Sequence, residues 1–151
     1  MLLLLFEIGT GRYALDANSI LEVAPLVQCK KIAATPDYVV GLMNYRGQGI
    51  PVLDLNQLFD SVPSADMLST RIILISYPVK DGVHKPLALI ASNVTETADI
   101  KLMKPPVTGV FMEKSLYKDG ILPETNAMIQ WFDIDKMLPA KEIVPLYEEE
   151  E

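Results

Sequence analysis

The most constraining feature of the sequence is a succession of short apolar segments, each bounded by Gly, Pro, Asn or Asp. Several segments are rich in Ile, Leu and Val or alternate apolar with polar residues, as β-strands do. Long amphipathic helical patterns, with apolar residues three and four positions apart, are missing. We therefore predict an all-β fold of the sandwich or barrel type, mainly β with short helical turns.

The clearest hairpin signal lies at the start of the chain. An apolar run over residues 2–8 meets a Gly-Thr-Gly turn and returns over residues 12–16. A second hairpin is predicted around the Lys-Asp-Gly turn at residues 80–82. The strands of this second hairpin are residues 71–77 and 86–91. The other predicted strands are residues 20–23, 27–32, 42–45, 49–53, 94–102 and 128–132.

Helix starts and loops are predicted from capping and breaking residues. Short helices are expected to begin near Pro36, Asp54 and Asp133, because Pro tolerates the first helical turn and Asp caps it. Residues 61–69, with Pro and small polar residues, are predicted to be a loop. Residues 104–123, which contain a Pro-Pro pair and two glycines, are predicted to be irregular surface chain.

Charge and composition exclude several classes of partner. With 20 acidic against 13 basic residues, the net charge of −7 repels a phosphate backbone, so nucleic acid is not an expected partner. The single cysteine, Cys29, rules out an internal disulfide, and the single histidine, His84, leaves few ligands for structural zinc. The apolar start lacks the basic residues of a secretory signal, and no stretch reaches the roughly 20 apolar residues of a membrane span. We expect a cytoplasmic protein without direct membrane insertion.

Several patterns suggest chemistry, and a structural interpretation is preferred for each. Residues 9–11 have the glycine spacing of a dinucleotide-binding turn, but strand-like sequence follows where that motif needs a helix. Asp133 and Asp135 lack a third ligand nearby in the sequence, so helix capping is preferred over a metal site. Cys29 is interpreted as a buried or incidental thiol, and His84 as a surface side chain. We predict a protein that is not an enzyme, with no catalytic, cofactor-binding or metal-binding residue.

One segment, residues 36–55, is more specific than the rest. It contains a glycine at Gly41, an Asn-x-Arg-Gly turn at residues 44–47 and a Pro-Val-x-Asp-Leu strand. In order and spacing these features resemble the signature of the CheW-like domain family. The other stretches that resemble the family, more loosely, are residues 6–16, 20–23, 71–77, 87–94 and 128–138. The chain departs from the family at residues 91–92, an Ala-Ser pair where the family often has Val-Asp, and at residues 104–123, which have no counterpart.

The resemblance implies two five-stranded SH3-like β-barrel lobes, packed together with a groove between them. It places both lobes in a single domain over residues 1–147, followed by an acidic tail over residues 148–151. The implied function is that of a chemosensory adaptor. Such an adaptor couples the cytoplasmic tip of a methyl-accepting chemoreceptor to the regulatory domain of a CheA-type histidine kinase. Other CheW-like domains are candidate further partners, and the pathway is either chemotaxis or pilus and surface sensing.

Four residues form the predicted partner-binding site. Arg46 is a planar, permanently charged donor on a turn, suited to bidentate contact with a carboxylate or with backbone carbonyls. The alternative role for Arg46 is to brace its own loop, and the sequence leaves both roles open. Asn44 is predicted to fix the turn, and Ile20 and Glu22 correspond by resemblance to the first-lobe strand that faces the kinase. The alternative function, from another class, is a small-ligand-binding β-barrel or a small enzyme that uses the inter-lobe cleft.

Overall fold

The computed structural model describes residues 2–65, 67–99, 120–122 and 127–147. The described strands are β1 (Leu2–Ile8), β2 (Gly11–Asp16), β3 (Ile20–Pro25), β4 (Val39–Tyr45), β5 (Gln48–Asp54), β6 (Arg71–Lys80), β7 (Val83–Asp99), β8 (Gly120–Leu122) and β9 (Ala127–Trp131). The described helices are α1 (Leu55–Asp60), α2 (Ile134–Met137), α3 (Ala140–Tyr147) and a 3-10 turn at Ala17–Ser19. The fold is mainly β, as the short apolar segments predict. Within these residues, no helix has the length and apolar character to cross a membrane.

The strands form two five-stranded half-sheets that share β7. The first half-sheet has the order β3-β6-β7-β5-β4, and the second has the order β7-β1-β2-β9-β8. Residues 83–91 of β7 pair with β6, and residues 92–99 pair with β1, so one long strand passes from one half to the other. Two five-stranded units are thus confirmed, but the ladders between described strands leave each half open instead of closing it into a ring.

The largest core cluster joins the two half-sheets. It takes Phe6 and Leu15 from the second half-sheet and Leu53, Ile73 and Leu89 from the first, all of them fully buried. Burial of one such side chain contributes about 1.5–3 kcal/mol. Each half-sheet also has a smaller buried cluster of its own, which includes Ile50 and Ile72 in the first and Leu3 and Ile129 in the second.

An isolated bridge lies beside the start of β4. Lys30, which follows β3 in the chain, and Leu42 of β4 exchange two backbone hydrogen bonds of 2.8 Å. Gly41 lies against this crossing chain: a Cβ atom there would be 2.3 Å from the Lys30 carbonyl oxygen. The φ angle of Gly41 is +147°, which side-chain-bearing residues rarely adopt. The motif glycine at this position is therefore required by backbone geometry.

The two predicted hairpins and the helix caps predicted at Asp54 and Asp133 are confirmed. The Gly-Thr-Gly segment is a hairpin turn between β1 and β2, not a nucleotide loop, because β2 pairs with β1 from Gly11 onward. The second predicted hairpin is the β6–β7 pair. Asp133 caps α2, since its side chain accepts hydrogen bonds from the backbone N–H groups of Asp135 and Lys136. The capping interpretation of Asp133 is therefore correct.

Two predictions between β3 and β4 are wrong. Residues 27–32 are not a strand, since among the described pairings they contribute only the bridge between Lys30 and Leu42. The segment around Pro36 is a turn and not a helix, because the Pro36 carbonyl accepts a hydrogen bond from Val39 N at 3.0 Å and β4 begins at once. Pairing of β4 with β5 overrides the local helix-start signal.

Helix α3 is not predicted by the sequence pattern. It buries Ile143 and Tyr147, four positions apart, but Pro145 lies between them and suggests a break in any helix. Pro145 is the sixth residue of α3, beyond the first turn where Pro is tolerated, and its cost is offset by the two buried side chains.

The predictions for the last third of the chain are tested only in part. Residues 120–122 form β8, so the prediction of irregular chain over residues 104–123 is wrong there. The predicted continuation of the sheet after residue 94 is confirmed as far as Asp99, the end of β7. The remaining residues of these segments, and the acidic tail at residues 148–151, lie outside the described residues.

We predict that Asp54→Ala lowers the free energy of unfolding by about 2 kcal/mol. The Asp54 carboxylate is buried and accepts hydrogen bonds from the backbone N–H of Asn56 and Gln57, at the start of α1, and from Ser64 in the following loop. Its removal leaves these donors without an acceptor at the point where β5 enters α1. Urea unfolding followed by circular dichroism measures the loss. Asp54→Asn, which retains one acceptor, is expected to lose less, and equal losses for the two variants would contradict the capping role.

Candidate functional site

The turn between β4 and β5 is a two-residue hairpin loop formed by Arg46 and Gly47. Both residues have positive φ angles, +53° for Arg46 and +81° for Gly47. Two successive positive φ angles are the property of a type I′ turn, whose twist matches that of the flanking strands. The Asn44 Oδ1 atom accepts a hydrogen bond from Gly47 N at 2.9 Å. Asn44 therefore stabilises the turn from within, as the sequence predicts.

The Arg46 side chain extends from this turn into solvent. It is 78% exposed, and its Nη2 atom lies 3.9 Å from Glu22 Oε1 on β3. Its guanidinium carbon lies 5.2 Å from the centroid of the Tyr45 ring. In the described part of the chain, the guanidinium makes no hydrogen bond to its own loop, which Asn44 holds instead. The geometry thus leaves most donors of Arg46 available to another molecule.

The two β3 residues of the predicted site, Ile20 and Glu22, differ in their exposure to solvent. Glu22 is exposed and faces Arg46, whereas Ile20 is half-buried and packs against the main core cluster. The register of β3 on β6 shifts between these two residues, which marks a bulge. The exposed apolar residues of β3 are Leu21 and Val23, at 48% and 37% exposure. These two were not among the predicted site residues.

Strand β3 is an open edge of the first half-sheet. Among the described strands it pairs only with β6, so its other side presents unpaired backbone groups. A shallow groove of about 380 Å³ borders this edge, lined by Val23, Ala24, Pro25, Leu68 and Arg71. Leu68 is 96% exposed. An exposed strand edge with apolar side chains beside it is a surface suited to another protein.

A second groove, of about 430 Å³, lies between the two half-sheets. Its walls include Asp16 and Trp131 from the second half-sheet and Ser76 and His84 from the first. Asp16 is also the cap of the 3-10 turn, because its side chain accepts a hydrogen bond from Asn18 N at 2.9 Å. The predicted groove between the two halves therefore has a counterpart in the structure.

The titratable groups of the described residues bear on whether these surfaces could hold a metal ion or a nucleophile. Among the described residues, no group of three or more His, Cys, Asp and Glu side chains is placed to hold a metal ion. Burial raises the pKa of the Cys29 thiol, which reduces the thiolate fraction that a nucleophile requires. What the structure brings together is a charged hairpin, an open strand edge and a groove.

Comparison with protein families matches the CheW-like domain to residues 2–142. The chain belongs to the CheW-like domain family. It is similar to the chemotaxis protein CheW of Klebsiella aerogenes, with 28% identity over 148 residues, which is 93% of this chain and 82% of that protein. It is also similar to the chemotaxis protein CheW of Helicobacter pylori, with 29% identity over 134 residues, covering 88% and 78% of the two chains.

A solved CheW structure agrees with the fold. The crystal structure of the scaffolding protein TtCheW from Thermoanaerobacter tengcongensis matches with a TM-score of 0.64 at 27% identity, covering 88% of this chain and 84% of that chain. The resemblance based on residues 36–55 is thereby confirmed. The CheW-like hairpin, meaning residues 44–48 of this chain, is the best-defined element of the candidate surface.

For the CheW-like hairpin we predict that Asn44→Ala lowers the free energy of unfolding by about 1 kcal/mol. The reason is that Gly47 N loses its only side-chain acceptor in the described structure, in a turn whose residue Arg46 already has an unfavourable φ. Asn44→Asp keeps the acceptor and is expected to cost less. Thermal unfolding of the two variants and the wild type checks this order. If Asn44→Asp were the more damaging change, the hydrogen bond would not be the reason for Asn44.

Proposed function

We propose that this chain is a chemosensory adaptor that couples the cytoplasmic tip of a chemoreceptor to the regulatory domain of a CheA-type histidine kinase. The observation that carries the proposal is the family match over residues 2–142, which includes the whole CheW-like hairpin. The chain acts in the cytoplasm by binding, with no chemistry of its own. It reaches the membrane through its receptor, in a chemotaxis pathway or in pilus and surface sensing.

The kinase is proposed to bind at the β3 edge and the CheW-like hairpin. Arg46 and Glu22 supply opposite charges close together, and Leu21 and Val23 supply apolar contact area on the same strand. A strand edge with unpaired backbone groups can accept a strand from a partner barrel, and side chains beside it then select the partner. The same edge is a candidate surface for other CheW-like domains.

The receptor tip is proposed to bind in the groove between the half-sheets. The groove has walls from both halves, so a segment lodged in it contacts Ser76 and His84 on one side and Trp131 on the other. Binding there senses the relative position of the halves, while the β3 edge stays free for the kinase. This separation of the two surfaces allows both partners to be held at once.

Residues 1–147 are proposed to form one domain of two lobes, followed by the acidic tail at residues 148–151. Strand β7 belongs to both halves, and α3, which follows the second half-sheet in the chain, packs back on the first. The Tyr38 hydroxyl donates a hydrogen bond to the Glu142 carboxylate. Burial, with that hydrogen bond, raises the pKa of Tyr38, so the hydroxyl keeps its proton. These contacts support a single unit.

A bridging assay tests the proposed function. A receptor-tip fragment is immobilised, and capture of the kinase regulatory domain is measured with and without the adaptor. We expect kinase capture only when the adaptor is present, with direct adaptor binding to each partner alone. Lys141→Glu, an exposed position on α3 away from the inter-lobe groove, provides a charge-changed control that should bridge normally. If the folded wild type binds neither fragment, the coupling role is wrong and small ligands of the inter-lobe groove become the next hypothesis.

A further inference from the structure

A third groove lies on the first half-sheet, between the tip of the β6–β7 hairpin and helix α3. Its volume is about 390 Å³. We call it the lysine groove, and its lining residues are Val79, Lys80, Val83, Lys85, Val144 and Tyr147. Four of these side chains are apolar or aromatic and two are cationic. The groove therefore combines an apolar floor with positive charge, on a chain whose net charge is −7.

The lysine groove and the groove between the half-sheets lie on opposite faces of the β6–β7 hairpin. Val83 and Lys85 line the lysine groove, whereas His84, between them on β7, lines the groove between the half-sheets. Successive side chains of a strand point to opposite faces of a sheet, which explains this division. A segment bound in the lysine groove therefore leaves the groove between the half-sheets open.

Both lysines of the lysine groove have donors available for another molecule. Lys80 is exposed, and Lys85 is half-buried, with its Nζ atom 5.8 Å from the centroid of the Tyr147 ring. Within the part of the chain that the structure describes, neither ammonium group pairs with a carboxylate. Asp81, on the turn next to Lys80, does not line the groove. Since an ammonium group has three N–H donors, each lysine can bind a carboxylate from a partner.

The outer part of the hairpin is poorly suited to binding a partner as an added strand. Among the described pairings, β6 pairs with β3 only as far as Ile75, and β7 pairs with β5 only over residues 88–90. Each open edge contains a proline, Pro78 on β6 and Pro86 on β7, and proline has no backbone N–H to donate. The Pro86 carbonyl also accepts a hydrogen bond of 2.7 Å from the Tyr147 hydroxyl. Recognition at this surface therefore depends on side chains.

We propose that the lysine groove binds an acidic, amphipathic helix of a partner protein. Apolar side chains on one face of that helix cover Val79, Val83 and Val144, and carboxylates beside them pair with Lys80 and Lys85. A helix satisfies its own backbone hydrogen bonds, so the side-chain contacts that the groove offers are the ones it needs.

Charge also decides between this partner and a second copy of the chain. Two copies that each carry a net charge of −7 repel one another, whereas an acidic helix meets a local pair of cations. The inference goes beyond the proposed adaptor function and does not depend on it, because it concerns neither the β3 edge nor the groove between the half-sheets.

Nuclear magnetic resonance of the isotope-labelled full chain tests the proposal. The probe is a synthetic helical peptide of about 18 residues, with leucines along one face and glutamates beside them. We expect backbone amide shifts at residues 79–85 and 144–147, and none at residues 21–23 of the β3 edge. A matched peptide with glutamine in place of glutamate should bind about fivefold more weakly. Absence of binding, equal affinity of the two peptides, or shifts centred on another surface would overturn the proposal.

Two double variants with the same charge change test the lysines. Lys80→Gln with Lys85→Gln should weaken binding of the acidic peptide about fivefold, and should remove most of its dependence on salt. Lys30→Gln with Lys31→Gln, on the chain between β3 and β4, should bind like the wild type. If both double variants lost affinity equally, the effect would come from net charge and the groove would not be the binding site.

A further variant tests the apolar floor. Val83 is half-buried and lies outside the buried clusters of the described chain, so Val83→Thr should fold normally, as circular dichroism can confirm. It should bind the acidic peptide about threefold more weakly, because a hydroxyl replaces a methyl group in the contact. Unchanged affinity would contradict the apolar contact. If concentrating the wild type without peptide produced the same amide shifts, a second copy would be the occupant and the proposal would be wrong.

Discussion

Gly41→Ala is expected to lower the free energy of unfolding by about 3 kcal/mol, a large part of the stability of a chain this size. The added Cβ would lie 2.3 Å from the Lys30 carbonyl oxygen, and a φ of +147° strains any side-chain-bearing residue. Relief by movement of the chain would break the two hydrogen bonds between Lys30 and Leu42. Urea unfolding measures the effect, which combines overpacking with backbone strain.

Two other glycines of the same hairpin provide matched controls. Gly49 has 3.9 Å from its Cβ position to the nearest atom, on Leu42, so Gly49→Ala should be close to neutral. Gly47 has open space but a φ of +81°, so Gly47→Ala should cost about 1 kcal/mol from strain alone. The expected order of loss is therefore Gly41, then Gly47, then Gly49. A Gly41→Ala protein as stable as Gly49→Ala would mean that the contact with Lys30 is not tight.

The parts of the fold that could be predicted are those set by neighbours in sequence. Turn residues between two apolar runs predict a β-hairpin, as they do for β1–β2 and β6–β7. Helix caps are similarly local, because the Asp54 and Asp133 side chains bond to backbone groups two and three residues ahead. Because these interactions join residues that are close in sequence, the rest of the chain has little influence on whether they form.

The two wrong predictions between β3 and β4, and the helix α3 that was not predicted, depend on distant partners. Residues 27–32 have the composition of a strand but meet β4 only through the Lys30 bridge. The Pro36 segment has a helix-start signal, yet the pairing of β4 prevails. Helix α3 forms because Ile143 and Tyr147 find burial against elements far away in sequence. No local pattern encodes which surfaces are available for packing.

The candidate surface also has one part that local sequence predicts and one part that depends on distant partners. The Asn44–Gly47 hydrogen bond spans three residues, and the turn was predictable from its motif. Which residues of β3 face solvent was not predictable, because the bulge between Ile20 and Glu22 shifts the register by one and so moves later side chains to the other face. Simple alternation would place Glu22 on the same face as Ile20, but Leu21, Glu22 and Val23 are all exposed.

Arg46→Glu is expected to weaken binding of the kinase regulatory domain at least tenfold, which is about 1.4 kcal/mol in binding free energy. Residue 46 is 78% exposed and makes no hydrogen bond to its own loop in the described structure, so the change should act on the partner and not on the fold. Titration by isothermal calorimetry measures the affinity, and circular dichroism confirms that the variant folds. Lys136→Glu, which adds the same charge change on α2, should bind like the wild type.

The double variant Arg46→Glu with Glu22→Arg separates contact of Arg46 with a partner from the ion pair that Arg46 makes with Glu22 on β3. It restores a pair of opposite charges across the same gap of 3.9 Å between the side chains. If Arg46 served only to brace Glu22, the exchanged pair would brace equally well and binding would return. Exposed pairs of this kind contribute less than about 1 kcal/mol, too little to organise a surface. We therefore expect the double variant to bind as weakly as Arg46→Glu, because a partner acceptor for the guanidinium would still face a carboxylate. Recovery of wild-type affinity would instead assign Arg46 to bracing.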